Sequence, residues 1–253
     1  FLMLGMREAV AVIEKALQAN ENITIYGDYD TDGVTASSLL FEFFNQLRHE
    51  PRVYIPNRFD EGYGLNLDAV ELLAAEGTQL LITVDCGIRS LQEVQRAKEL
   101  GMRVIVTDHH QPGDQLPQAD AVINPHQPAD PYPYKELAGV GLAYKLAKAW
   151  LQTHPDPEVD LNQWLDLVAI GTVVDVAPLT GENRSLVKRG LALMRQPKRQ
   201  GLFSLAQVAS INPAKFNAGH LGFVIGPRLN AAGRIESALD AFRLLTSRDT
   251  FEA

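Results

Sequence analysis

The sequence predicts an α/β fold, a mostly parallel sheet flanked by helices, followed by a mainly helical C-terminal part. Three observations carry this. Residues 23–26, 80–84 and 103–107 are short runs rich in Ile, Val, Leu and Thr, and each closes on acidic residues. Helical stretches at about 34–48, 66–77 and 89–100 separate them, the alternation expected of parallel strands joined by helices. From about residue 136 onward the apolar spacing is helical.

In chain order, apolar residues at 10, 13 and 17 predict a first helix ending near Asn20. The first strand follows and runs into Gly27-Asp28, and a short strand is expected at 52–55. The Pro/His/Asp-rich stretch 124–135 and His154-Pro155-Asp156-Pro157 read as loops. Helices are expected at 139–153, 161–171, 183–195, 201–210 and 236–246. The chain therefore divides into an α/β part, 1–135, and a mainly helical part, 136–253. Gly139-Val140-Gly141-Leu142-Ala143-Tyr144 has Tyr where a dinucleotide fingerprint needs its third glycine, and no strand precedes it, so it reads as a packed helix start. The chain opens on Phe1, and Ser247 or Asp249 could cap a helix cut short at Ala253, which reads as a piece of a longer protein.

With 46% hydrophobic and 21% charged residues, a sizeable core is expected. No apolar run approaches eighteen residues and no leader is evident, so a cytoplasmic protein is expected. A lone Cys86 excludes an internal disulfide and a cysteine-rich zinc site. The net charge of −8 argues at first against a polyanionic partner. The charges are unevenly placed, however: Arg184, Lys188, Arg189, Arg195, Lys198 and Arg199 crowd one stretch, and bound cations would offset the clustered aspartates.

Asp28-Tyr29-Asp30-Thr31-Asp32-Gly33 is the sharpest local signal. Alternate carboxylates after a strand, with Gly allowing a tight turn into a helix, suit a hard cation. One carboxylate would suffice to cap the helix, and three close together repel unless a cation offsets them. An EF-hand loop starting at Asp28 would need Glu at position 39, which is Leu39. The Asp-x-Asp-x-(Thr/Val) pattern of haloacid-dehalogenase-like phosphatases fits Asp30–Val34, but it gives no role to the second signal, Asp108-His109-His110. Paired histidines after a strand-end Asp suit Mn²⁺-type ions and phosphate contact. Asp85 adds a carboxylate able to bridge two ions. Asp175, flanked by valines, is costly to bury unless paired or metal-bound.

These segments, in this order, resemble the DHH phosphoesterase superfamily, and within it the RecJ-like single-strand exonucleases. The wording Gly27–Gly33, Gly171–Leu179 and Gly226–Arg234 carries the likeness, which runs from about residue 5 to 250. The resemblance implies two divalent ions, Mn²⁺ or Mg²⁺, held by Asp30, Asp32, Asp85, His109 and Asp175, with Asp85 as the bridge. It implies reaction-site roles for Asp28, Asp108 and His110, with His110 on the scissile phosphate. Arg228, Asn230 and Arg234, in a glycine-rich segment, are the expected substrate contacts. Many relatives place His four residues before Asp30, where this chain has Tyr26, which leaves that ligand's place to either Tyr26 or Asp28.

The implied activity is 5′→3′ exonuclease action on single-stranded DNA, releasing mononucleotides. The implied partners are single-stranded DNA and the helicases or single-strand-binding proteins of DNA repair. A clamp domain that follows in such enzymes is not expected in this chain. The alternatives are a DHH-type phosphatase of short oligonucleotides, cyclic dinucleotides or pyrophosphate, and a metal-free scaffold in a replication complex.

Overall fold

A computed structural model describes residues 1–235 and 237–251. Helix α1 (Met6–Gln18) buries Met6, Ala9, Val10, Ile13 and Ala16 on one face. Five strands follow: β1 (Ile23–Gly27), β2 (Arg52–Tyr54), β3 (Leu80–Val84), β4 (Arg103–Thr107) and β5 (Ala121–Ile123). All neighbours pair in parallel, in the order β2-β1-β3-β4-β5. The crossovers carry α2 (Thr31–Gln46), α3 (Leu67–Ala75) and α4 (Leu91–Glu99). The order reverses at β1, so the crevice beyond the ends of β1 and β3 is the place where such sheets bind ligands.

Both faces of the sheet are covered, which is why β1 and β3 are buried along their whole length. Ile23, Ile25, Leu80, Ile82 and Ile105 face the larger core, built with α2 and the C-terminal helices. Tyr26, Leu81, Val104 and Val106 face a smaller one under α3 and α4. Helix α2 is buried along most of its length. Its far side meets α5 (Gly139–Thr153) and α6 (Leu165–Val174), and Trp164 packs edge-on against Phe43 at 6.0 Å. One apolar core thus runs through both parts of the chain.

The chain continues through α7 (Gly181–Met194), α8 (Gln200–Val208), a turn α9 (Ala218–His220), a π-turn Leu221–Ile225, α10 (Gly226–Ile235) and α11 (Ala238–Thr246). The helix expected at 161–171 begins as a 3-10 turn, Leu161–Trp164, and runs on to Val174. Of the helix expected at 236–246, Glu236 lies outside the described residues. Beyond α11, Ser247 Oγ accepts from Asp249 N–H and Asp249 Oδ1 from Phe251 N–H; residues 252–253 of the expected terminal helix lie outside the described residues.

Three expectations need correction. The edge strand β5 was not foreseen: three residues among prolines and polar groups give no pattern, and pairing with β4 makes the strand. The glycine-rich segment 226–234 is helical, and its glycines serve packing: a Cβ on Gly226 would meet Val174, and one on Gly233 would lie 3.1 Å from Tyr29 O. Arg199 is no part of a solvent-facing basic stretch. Its side chain is buried between Glu42 and Asp166, with a further bond to Leu245 O.

Candidate metal centre

The aspartates gather because three strand ends and one helix end meet at a single edge. Asp28 follows β1, Asp85 follows β3, Asp108 to His110 follow β4, and Asp175 ends α6. Asp30 caps α2: its Oδ1 accepts from Asp32 N–H (2.8 Å) and Gly33 N–H (3.1 Å). Asp32, one residue inside that helix, is fully buried. It accepts from Gly139 N–H (2.6 Å) and Val140 N–H (2.9 Å), so the N-terminus of α5 points its dipole at this carboxylate.

Close approach explains two glycines here. A Cβ on Gly139 would lie 2.7 Å from Asp85 Cβ, and one on Gly171 would lie 2.6 Å from Asp32 Oδ1. Asp85 itself adopts φ 62°, a left-handed conformation that costs a non-glycine residue about 1–3 kcal/mol. Such strain is tolerated where the surroundings fix the turn, here through Asp85 N–H donating to Thr107 O at 3.0 Å.

Two donor sets result. Asp28, Asp30 and Asp85 can each bring one carboxylate oxygen within 4.8 Å of the others, and so can Asp32, His109 and Asp175 with their oxygens and ring nitrogen. A third grouping, Asp85, His109 and His110, overlaps them. His109 Nε2 lies 3.0 Å from Asp85 Oδ1, 3.8 Å from Asp32 Oδ2 and 3.9 Å from Asp175 Oδ2. Asp85 therefore stands between the two sets. Asp28 Oδ1, Asp85 Oδ1 and His109 Nε2 are buried with no hydrogen-bond partner. Buried polar atoms without partners are costly; here Asp85 Oδ1 and His109 Nε2 lie 3.0 Å apart, and Asp28 shares a donor set with Asp85. Oxygen donors with one neutral imidazole fit a hard or borderline divalent cation.

The acid–base properties agree. Burial and the neighbouring Asp30 push Asp28 up to about 7. Burial and Asp30 likewise push Asp175 up to about 7. Asp32 and Asp85 are raised well above the carboxylate range, first by burial and then by other aspartates. His109 is lowered to about 4 by burial and by the charge of His110, so its imidazole is neutral and available as a ligand. Two carboxylates about 4.8 Å apart repel by about 3 kcal/mol at an effective dielectric of about 20. Protons or cations must offset that charge.

Asp108 and His110 form a different unit. Asp108 Oδ2 accepts from Ile88 N–H (2.9 Å), and Oδ1 takes both His110 N–H (3.0 Å) and the His110 ring at Nδ1 (2.7 Å). Burial opposes ionisation of Asp108, but the bonds from His110 outweigh it and hold the carboxyl below its usual range. The bond to Asp108 raises His110. Asp108 thus spends both oxygens on positioning, and His110 turns its Nε2 toward the Tyr63 hydroxyl at 3.4 Å. Buried Asn124 holds the backbone of the same loop, donating to His110 O at 2.8 Å.

Tyr26 is not a ligand in waiting. It is fully buried, stacks on Tyr54 at 5.3 Å, donates to Gly64 O at 2.9 Å and accepts from Asn66 Nδ2 at 3.2 Å. Asp28, in contrast, belongs to a donor set. Cys86 is buried with its thiol raised by burial and Asp28, so it is no nucleophile.

Beside the carboxylates opens a cleft of about 290 Å³, lined by Asp28, Tyr29, Asp30, Arg58, Tyr63, Asn230, Gly233 and Arg234. Arg58 sits over the Tyr29 ring at 5.1 Å, and Tyr63 meets Tyr29 and His110 edge-on. No sequence motif singled out Arg58 or Tyr63, and Tyr29 stood only as a spacer between Asp28 and Asp30. The loop bearing Arg58 and Tyr63 is fixed by local bonds, Tyr54 OH to Glu61 (2.6 Å) and Asn57 N–H to Glu61 (2.7 Å), and by the long-range bond from Tyr26 OH to Gly64 O. Asn230 spends its amide oxygen on Thr31 N–H (2.9 Å) and Thr31 OH (2.7 Å), bracing the first turn of α2. Arg228 lies outside the cleft, with Nη1 donating to Val224 O at 2.9 Å.

The DHH family model, N-terminal domain, matches residues 22–172. The chain is 47% identical over 253 residues to the single-stranded-DNA-specific exonuclease RecJ of Bacillus subtilis (strain 168), covering 100% of this chain and 31% of that protein. A crystal structure of exonuclease RecJ bound to manganese superposes with a TM-score of 0.90 at 39% identity, covering 99% of this chain and 63% of that one. RecJ from Thermus thermophilus in complex with Mn²⁺ gives 0.86 at 36% identity, covering 99% and 36%. The chain thus spans less than two thirds of the length of the relatives it matches.

Proposed function

We propose, from the fact that this chain belongs to the DHH family, that it hydrolyses phosphodiester bonds of single-stranded DNA with two divalent ions, Mn²⁺ or Mg²⁺. That membership removes the haloacid-dehalogenase alternative. The observation that carries the reading is the pair of donor sets at one sheet edge, joined where Asp85 of the first lies 3.0 Å from His109 of the second. A metal-free scaffold would have no reason to keep the cost of their unpartnered buried atoms. The names of the relatives, single-stranded-DNA-specific exonuclease and RecJ bound to manganese, support the substrate and the ions.

Asp28, Asp30 and Asp85 would hold one ion, and Asp32, His109 and Asp175 the other, with Asp85 joining them. Such ions, when bound, hold a phosphate, make water a stronger nucleophile at neutral pH and offset charge on the leaving oxygen. The remaining work belongs to the chain. His110, whose protonated form the bond to Asp108 favours, would face the scissile phosphate and offset its charge. Arg234 and Arg58 would hold a phosphate in the cleft, and Tyr29 and Tyr63 would take a base by stacking. Asn230 would position α2 and leave the substrate to its neighbours.

Release of mononucleotides fits a cleft near the lower limit of small-ligand sites, and the 5′→3′ direction follows from the family resemblance alone. Helicases and single-strand-binding proteins are the partner class, and the cytoplasm the compartment, that this reading implies. Among the described residues no helix is long and apolar enough to cross a membrane. The test is hydrolysis of single strands labelled at either end, with and without Mn²⁺. Mn²⁺-dependent loss of the 5′ label as a mononucleotide is expected. Cleavage restricted to strands of two or three nucleotides would favour the short-oligonucleotide phosphatase, and no metal-dependent cleavage at all would sink both.

A further inference from the structure

The cleft with Arg58 and Arg234 lies on the β1 side of the carboxylates. On the opposite flank, the loops after β3, β4 and β5 bring together Arg89, Gln111 and His126, and nothing above uses them. Their arrangement is built rather than incidental. Asn124, fully buried at the end of β5, accepts from His126 N–H at 2.7 Å with the same amide that holds His110 O. The Gln111 side-chain amide meets His126 Nδ1 at 3.2 Å, and Arg89 Nε donates to Gln111 O at 2.8 Å. His126 lies near enough to His109 for its charge to oppose protonation there. Among the described residues no carboxylate pairs with Arg89 or His126, although six aspartates stand at the same sheet edge. Arg89 therefore keeps its two terminal nitrogens, and His126 its Nε2, for a group outside the protein.

We propose that Arg89 and His126 form a second phosphate subsite, taking the first backbone phosphate of the strand that continues beyond the bond being cut. The proposal rests on the reading of the centre as a phosphodiesterase. Anions are its ligands because these three nitrogens are left unpaired on a preset frame, with no carboxylate counter-charge among the described residues, and Arg matches phosphate oxygens in pairs. The metal centre then lies between two phosphate grips. The cleft receives the end nucleotide, and the shelf keeps the remaining strand in line. This would make the chain read strand length as well as strand end.

The test compares wild type with R89A, H126A and the double variant on 5′-phosphorylated strands of two, three and twelve nucleotides in Mn²⁺. A two-nucleotide strand has no phosphate past its one internal bond. The double variant is expected to raise KM about tenfold for three and twelve nucleotides, with kcat held and the dinucleotide changed less than twofold. Equal losses on all three lengths, or no loss on any, would overturn the subsite. Fluorescence anisotropy of a labelled twelve-mer in Ca²⁺ separates this from failure of the hydrolysis reading. The double variant should flatten the salt dependence of binding by about 0.7 for each phosphate it no longer grips. A wild type that binds without cutting, with the slope lowered in the variant, keeps the subsite and discards the exonuclease. A wild type that neither binds nor cuts discards both.

Discussion

Two clusters of buried charge in this chain are solved in opposite ways. Around Arg199, Glu42 and Asp166 the charges cancel within the protein: Nε reaches Asp166 at 2.9 Å, and Nη1 reaches Glu42 and Leu245 O at 2.5 Å each. At the sheet edge, Asp28, Asp32, Asp85 and Asp175 have no such cation, and all four are pushed toward the protonated state. The first cluster ties α2, α6 and α11 together and is complete. The second is complete only with something added. A buried charge that is paired inside the chain speaks of structure, and one left unpaired speaks of a ligand.

The largest effect should come from breaking the paired cluster. Arg199→Ala would leave Glu42 and Asp166 without their cation and should cost about 3–5 kcal/mol, read from the urea midpoint. Arg199→Ala with unchanged stability would erase the contrast.

The unpaired cluster should respond to pH in the opposite sense from ordinary acid denaturation. Asp28 and Asp175 have folded values of about 7, above the unfolded value of 3.8. A raised carboxyl contributes stability that is present in full below the unfolded value and disappears as pH rises through the folded one. The metal-free chain should therefore lose about 2–4 kcal/mol between pH 4 and 8, and saturating Mn²⁺ should remove that loss. Chemical denaturation at four pH values, with EDTA or Mn²⁺, decides it. Stability rising with pH in EDTA would refute the assignment.

Asp85→Asn sharpens the same point at smaller scale. It removes one charge from the first donor set, beside the second, so the metal-free protein should gain about 1–2 kcal/mol. Wild type at 100 times its Mn²⁺ dissociation constant should gain about 2.7 kcal/mol, and the variant far less. Thermal melts with and without Mn²⁺ would show the two effects crossing. A variant that Mn²⁺ stabilises as much as wild type would exclude Asp85 from the centre.

Tyr26→Phe gives the smallest expected change. Losing the hydroxyl leaves Gly64 O and Asn66 Nδ2 without that partner, a cost of about 1 kcal/mol, with Mn²⁺ affinity intact. A tenfold fall in Mn²⁺ affinity would return Tyr26 to the ligand set.

Most of this edge was legible in the chain because strand ends announce themselves. A β-branched run stopping at an acid places that acid beyond the sheet, and 23–26, 80–84 and 103–107 all did so. The division of labour among the acids was not legible. Asp28 and Asp108 occupy similar places after their strands, yet Asp108 has both oxygens engaged by backbone and ring donors while Asp28 Oδ1 has none. Those partners come from loops far along the chain. Arg199 shows the converse error, since its neighbours in sequence are basic and its neighbours in space are acidic. The cleft residues Arg58 and Tyr63 carry no motif because side-chain bonds hold their loop, locally through Glu61 and at long range through Tyr26.

The spread of the donor set along the chain also orders events in time. Asp28 and Asp32 emerge early from the ribosome, but Gly139 and Val140 must dock before Asp32 has its backbone donors, and Asp175 arrives with the end of α6. Contacts over 100 residues apart form late, because loop closure must precede them. A half-made chain has scattered acids and no centre. Under the proposed function, the centre would be complete only once α5 and α6 have closed on α2.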